Sequence, residues 1–427
     1  MASIAAPAPS LGRAAWPLGM LALGLAAGFA AMGSFGTVQE SAKAELALSD
    51  QTLALVQGVA AAVPLALFSV PIGILVDRTN RVRLFVALAV LWTLGTLLTA
   101  YAPNAGVLFV ARMMTGTGTT GALTAALSLG ADLCLPSQRG RAMLVMTLGK
   151  SLGIAAGFGL AGALFGMFGA GALGLTGWRA IHLVLGLLFL LCLLPLLTLR
   201  EPARREVATA NAPLRIVARE LWARRAFLLP LFLGQVSVVM ADNSALIWAA
   251  PVLGRHYGLA PDQFAGWMGA LIFGTGIGGA VLGGLAADWG QRSGVRGGVL
   301  RGALIAAAIG APAALFPIAG SVPLFALCMG VLVLCGTVTG LITSVTLTVL
   351  IPNEARGLCI GLFIAVAGVI GFGVAPTAVT WVSSALGGEA HLAPAMALVG
   401  TVTGAISVAA FALAIRNAPP SPLSEHS

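Results

Sequence analysis

A chain of 427 residues with 59% hydrophobic and only 9% charged residues cannot build a water-facing surface, for which soluble domains use about a quarter charged residues. The net charge of +9 does not point to nucleic acid: the basic residues sit in short connectors between apolar runs, with no basic face interleaved with aromatics. Cys134, Cys192, Cys328, Cys335 and Cys359 lie in or beside apolar runs without metal-ligand spacing and read as small hydrophobes.

A membrane-spanning helix needs about 20 mostly apolar residues. Twelve such segments follow one another, at approximately 14–36, 51–76, 84–103, 105–131, 141–167, 179–199, 226–251, 263–287, 299–318, 322–350, 357–385 and 393–415. The first, behind Arg13, has the length of its successors and reads as a spanning helix rather than a cleaved leader. The longest hydrophilic interruption, 200–225, divides six segments from six. Within it, Arg215 to Trp222 has the pattern of an amphipathic helix lying on a membrane surface. The expected organisation is therefore all-α: a six-helix bundle over 1–199, a basic linker over 200–225, a second six-helix bundle over 226–416, and a tail over 417–427.

Charge sets the orientation, because basic residues concentrate in cytoplasmic loops. With both termini inside, 18 of the 23 basic residues fall on the cytoplasmic side, including seven in the central linker. Only Lys43, Arg179 and Arg255 fall outside, and Arg112 and Lys150 lie within helices. This places the chain in a cell (inner) membrane with both ends cytoplasmic. Trp16, Trp178, Trp222 and Trp289 read as residues of the interfacial belts.

The two halves repeat. Gly73-Ile-Leu-Val-Asp77-Arg78 follows the second segment, and Gly284-Leu-Ala-Ala-Asp288 ends the eighth. Pro136-Ser-Gln-Arg139-Gly140 follows the fourth, and Pro352-Asn-Glu-Ala-Arg356-Gly357 follows the tenth. Two loops recurring in register indicate a duplicated six-helix unit, a construction common among secondary transporters.

The run Gly73-x-x-x-Asp77-Arg78-x-x-Arg81-x-Arg83 resembles the loop signature of the major facilitator superfamily, with an echo at Gly284, Asp288 and Arg292. The glycine would allow close helix approach, the aspartate would face a helix N-terminus, and the arginines would pair with it or with lipid phosphate. Arg112-Met-Met-Thr-Gly116-Thr-Gly118 resembles the second signature of the same family, and Gly177-Trp178-Arg179 and Gly371-x-Gly373-x-x-Pro376 fit as well. The likeness covers nearly the whole chain. Within the family, Ala44 to Asp50, Pro71-Ile72-Gly73 and Trp248-Ala-Ala-Pro251 with Arg255 and Gly258 are similar to spinster-like bacterial members. Those members tend to carry an Asp-Arg pair in the first helix, where this chain has Ala31-Met-Gly-Ser34, and a glutamate near Thr119. The fifth helix lacks the proline of drug–proton antiporters. The resemblance implies two six-helix bundles, alternating access and no cofactor.

A charge at mid-membrane costs about 3 kcal/mol or more unless paired or hydrated, so charges there are the site candidates. Arg112 shares a face with Thr115, Gly116 and Thr119, and either lines a polar cavity or binds neighbouring carbonyls. Lys150 lies roughly 15 Å along the fifth helix; Gly153 and Gly157 on its face are expected to leave open space beside the ammonium, unless the side chain snorkels. Asp242, followed by Asn243, forms a polar stripe with Gln235 two turns earlier. It either exchanges a proton or pairs with one of the two cations. His182 reads as an interfacial histidine. The glycines at 274–284 and 368–373 suit close, smooth helix contacts.

No cysteine, histidine and acid cluster has catalytic or metal-binding spacing. The expected activity is secondary transport of a small organic solute, anionic or zwitterionic, by a monomer, with protons as the coupling ion. Two other readings keep the fold: export of amphipathic, lipid-like or drug-like compounds, and a membrane sensor that does not transport.

Overall fold

The structure, a computed structural model, describes residues 11–135, 138–204, 219, 221–351 and 353–419. The surface helix expected at 215–222 falls mainly outside these residues, as do Pro136, Ser137 and Pro352 of the repeated loop motifs. Twelve long helices account for nearly all described residues. They are α1 (Leu11–Glu45), α2 (Asp50–Arg78), α3 (Arg81–Ala100), α4 (Ala105–Leu133), α5 (Arg139–Phe168) and α6 (Gly177–Leu196). After the linker come α7 (Arg225–Tyr257), α8 (Pro261–Arg292), α9 (Arg301–Ala313, entered through a 3-10 turn at Gly298–Leu300) and α10 (Val322–Leu350). The last two are α11 (Asn353–Gly368 continuing to Ala385) and α12 (Leu392–Arg416).

Helix starts follow local chemistry. Ser49, Asn80 and Asn104 are extended N-caps whose side chains accept from the amides of Thr52, Arg83 and Val107, satisfying donors that a helix start otherwise leaves free. Gly258 in the left-handed conformation stops α7. α1 runs nine residues past the boundary expected at 36: residues 36–45 hold no proline, and Gln39 and Glu45 find partners.

Eleven of the helices are long and apolar enough to cross a membrane. The twelfth, α4, is of similar length, but Arg112 and the run Thr115 to Thr120 dilute its apolar content. That run survives because its hydroxyls turn back onto their own helix: Thr115, Thr117 and Thr120 donate to the carbonyls of Ala111, Met113 and Gly116.

The contacts divide the chain into two compact units, one of Met1–Ala208 with Leu259–Phe273, the other of Thr209–Gly258 with Gly274–Ser427. In the first, α5 lies directly on α1. Carbons added at Gly149, Gly153 and Gly157 would strike the backbone of Ala22, Ala26 and Ala30, so the two helices touch backbone to backbone. In the second, Gly279 and Gly283 of α8 leave room for Thr337 and Leu341 of α10, and Leu231, Phe411, Ile342 and Leu300 are fully buried in its core.

Two turns depart from α-geometry. A π-turn at Leu55–Val59 interrupts α2, and another at Val369–Val374 interrupts α11. Such turns widen the helix by a residue and occur often at functional sites. One holds Gln57 and the other Gly371.

Candidate functional site

The first unit gathers its polar interior around Arg112, which is 6% exposed. Its guanidinium donates to the carbonyls of Ala31 at 3.3 Å and Met32 at 2.6 Å on α1, and to Gln57 Oε1 at 3.2 Å on α2. Gln57 Nε2 in turn donates to Gln39 Oε1 at 3.1 Å. The guanidinium carbon stands 5.3 Å from the centre of the Phe35 ring, whose other neighbours are Trp178 and His182. Arg112 thus binds carbonyls, one of the two readings its sequence allowed. Among the described residues it has no carboxylate partner, and its Nε is buried without a hydrogen-bond acceptor. Gln39 and Gln57, which complete the network, escaped sequence analysis: a lone glutamine in an apolar run carries no charge to mark it.

Thr119 is fully buried and donates to the carbonyl of Gly28 at 2.9 Å, tying α4 to α1. Lys150, on α5, is half-buried, with its ammonium 5.4 Å from the centre of the Phe29 ring. The open space expected beside it at Gly153 and Gly157 is not there: α1 fills it. Glycines four residues apart on one face signal helix packing, and here they bring Phe29 to the ammonium. Among the described residues Lys150 forms no ion pair.

His182 is not interfacial. It is 1% exposed, and its Nδ1 lies 2.8 Å from the carbonyl of Trp178. Trp178 likewise leaves the expected belt, being buried with its indole N–H donating to Glu45. Glu45 also accepts from Thr176 and from Arg179, the latter at 2.7 Å. One carboxylate therefore fastens the end of α1 to the start of α6. Trp16, Trp222 and Trp289 are exposed.

In the second unit the polar stripe of α7 faces α10 and α11. Buried Gln235 accepts from Thr343 Oγ1 at 3.1 Å. One and two turns on, Val239 and Asn243 flank Gly371 in the π-turn of α11. Asp242 sits against Gly336 of α10, where an added Cβ would overlap its carboxylate. Asp242 Oδ1 is buried and accepts no hydrogen bond, and no cation pairs with it among the described residues. Behind it, Ala241 and Gly336 with Gly310, Cys335, Gly404 and Ser407 line a small hollow.

The loop signature resolves into unlike parts. Asp77, Arg78 and Arg83 are exposed, whereas Arg81 is 2% exposed. Arg81 joins Asp132 at 2.5 Å and Glu201 at 2.7 Å and donates to Ser128 Oγ at 3.2 Å. It pairs with the end of α4 and with the segment that follows α6, rather than with Asp77 or lipid phosphate as expected from the signature. Arg204 closes the end of α2 by donating to the carbonyls of Val76, Asp77 and Thr79. Gly73 has open space around it rather than a packed helix, and Gly284 has only Leu341 at ordinary contact distance. Asp288 and Arg292 are exposed.

Twelve long helices, eleven of them long and apolar enough to cross a membrane, have the architecture of a polytopic membrane protein. The sequence matches the profile of the Major Facilitator Superfamily over residues 20–356, and the chain belongs to that superfamily. It is similar to the 3-(3-hydroxy-phenyl)propionate transporter of Escherichia coli (strain K12), with 33% identity over 220 residues, a match spanning 50% of each chain. In fold it resembles a bacterial homologue of the human lysosomal transporter spinster. The inward-facing unoccupied structure of that homologue gives a TM-score of 0.77 at 22% identity over 96% of both chains. The occupied one gives 0.75 at 21% over 98% of both. The nucleoside transporter NupG gives 0.75 at 10% identity, covering 95% of this chain and 100% of its own.

Proposed function

We propose that this protein is a secondary active transporter of a small organic anion, an aromatic carboxylate being the leading class, coupled to protons and working by alternating access between two six-helix bundles. The observation that carries the reading is the imbalance of interior charge: Arg112 and Lys150 lie within spanning helices, and neither has a carboxylate partner among the described residues. A cation held in a low-dielectric interior without a counter-charge costs several kcal/mol, and a visiting anion supplies the counter-charge. Phe29 and Phe35, stacked against the two cations, suit a substrate with an aromatic body. The named activity of the Escherichia coli relative supports the same class.

Asp242 takes the proton role, because its buried oxygen lacks the partner that a structural bridge would provide. The 18-to-3 distribution of basic residues supports an inner-membrane location with both termini in the cytoplasm.

The test is uptake of labelled 3-(3-hydroxyphenyl)propionate into proteoliposomes, with and without an inward proton gradient. Wild-type protein is expected to accumulate the anion only with the gradient. Lys150→Gln should lose uptake by at least about tenfold, the value of one 1.4 kcal/mol contact. Asp242→Asn should abolish accumulation while leaving exchange of labelled for unlabelled anion. Uptake unchanged by Lys150→Gln, in protein of normal yield, would refute the reading.

A further inference from the structure

His182 and Arg112 meet on one aromatic ring. The imidazole centroid lies 5.7 Å from that of Phe35 and the guanidinium carbon 5.3 Å from it. A carbonyl can only accept, so the 2.8 Å contact with Trp178 O puts the hydrogen of a neutral imidazole on Nδ1 and leaves Nε2 with its lone pair. That Nε2 is buried and has no partner, and neither has Arg112 Nε–H. These two orphans, an acceptor and a donor, belong to side chains that adjoin the Phe35 ring; Thr37 Oγ1 and Trp92 Nε1 of the same unit are also buried without a partner. Buried polar atoms of this kind require an explanation, and an absent ligand is one.

We propose that His182 and Arg112 form the two arms of an anion cradle in which His182 takes up a proton when a carboxylate binds. The inference rests on the anion-transport reading and adds a second proton to it. Without an anion, a protonated His182 would stand beside an uncompensated guanidinium, so the imidazole stays neutral. A bound carboxylate accepts from Arg112 Nε–H and turns the position of Nε2 into a favourable one for a second donor. A proton from the aqueous phase then bonds to the Nε2 lone pair, giving a cationic ring that donates from both nitrogens. Net charge at the site changes by one negative from the anion and one positive from the proton.

The charged groups around His182 are few. Arg112 reaches it from α4. On α1 the acids are Glu40 and Glu45, the latter held by Trp178 and Arg179. The only ionisable groups of α3, Arg81 and Arg83, stand at the helix's far end, and the only one within the body of α5, Lys150, faces Phe29.

The experiment is calorimetric titration of the detergent-purified protein with 3-(3-hydroxyphenyl)propionate in two buffers of different ionisation enthalpy. The wild type should take up about one proton per anion bound at neutral pH, and its affinity should strengthen about tenfold per unit of falling pH while the free imidazole is neutral. His182→Gln should bind with little proton uptake and a flat pH profile, and Asp262→Asn, at an exposed acid outside the site, should keep both. If His182→Gln fails to fold, the wild-type titration still decides, since uptake of no proton overturns the proposal, and so does proton uptake that vanishes in Asp242→Asn. Proton uptake retained in His182→Gln overturns it as well. Absence of any binding by the wild type removes the anion reading itself, and this proposal with it.

Discussion

Asp242 and Gly336 form the sharpest single-residue constraint in the protein. The carboxylate occupies the space where any other residue at 336 would place its Cβ. Gly336→Ala should therefore destabilise the fold by about 1–3 kcal/mol, the usual cost of overpacking. Shortening the acid should relieve it, so thermal unfolding in detergent should show the double variant Gly336→Ala with Asp242→Ala to be more stable than Gly336→Ala alone. Equal stability of the two would mean that the clash is absorbed elsewhere. Such pairings are invisible in sequence, where the two residues stand far apart. What the sequence did offer was charge: Arg112, Lys150 and Asp242 stand out against an apolar background, while Gln39 and Gln57 do not, because neutral polar groups fit the periodicity of an ordinary helix; His182 was read, but as an interfacial residue.

At the scale of the helix, ends were less legible than middles. All twelve apolar runs correspond to helices, yet α1 extends to Glu45 because polar side chains beyond the apolar run have partners there. α4, read among the apolar runs, is the one long helix that falls short of the apolarity of the others. Loop chemistry was read as far as its charges and no further. The signature arginines look alike in sequence, but only Arg81 turns inward, where Asp132 and Glu201 lie 51 and 120 residues away. Removing a buried cation strands both acids, so Arg81→Gln should cost about 3–5 kcal/mol and lower the unfolding temperature markedly. Arg83→Gln, on an exposed position of the same motif, should change it little. A similar loss for both would place the cluster in solvent.

For the whole molecule, membership of the Major Facilitator Superfamily supplies the architecture, and the interior charges supply what distinguishes this member. Where the resemblance to spinster-like members had implied acids in the first and fourth helices, this chain has Ala31 to Ser34 and Thr119. Both positions are filled by packing contacts here: Thr119 bonds α1 through Gly28. The burden of proton handling accordingly moves, in our reading, to Asp242 and His182. The widened turns in α2 and α11 add a mechanical consequence. A helix that accommodates an additional residue in one turn gives up the regular ladder at that level, and its amides there are held less firmly. Deuterium should enter the backbone at Leu55–Val59 and Val369–Val374 sooner than in the flanking turns. Because Gln57 and Gly371 sit in those turns, a bound anion should slow that isotope uptake, giving a report of occupancy from the backbone itself.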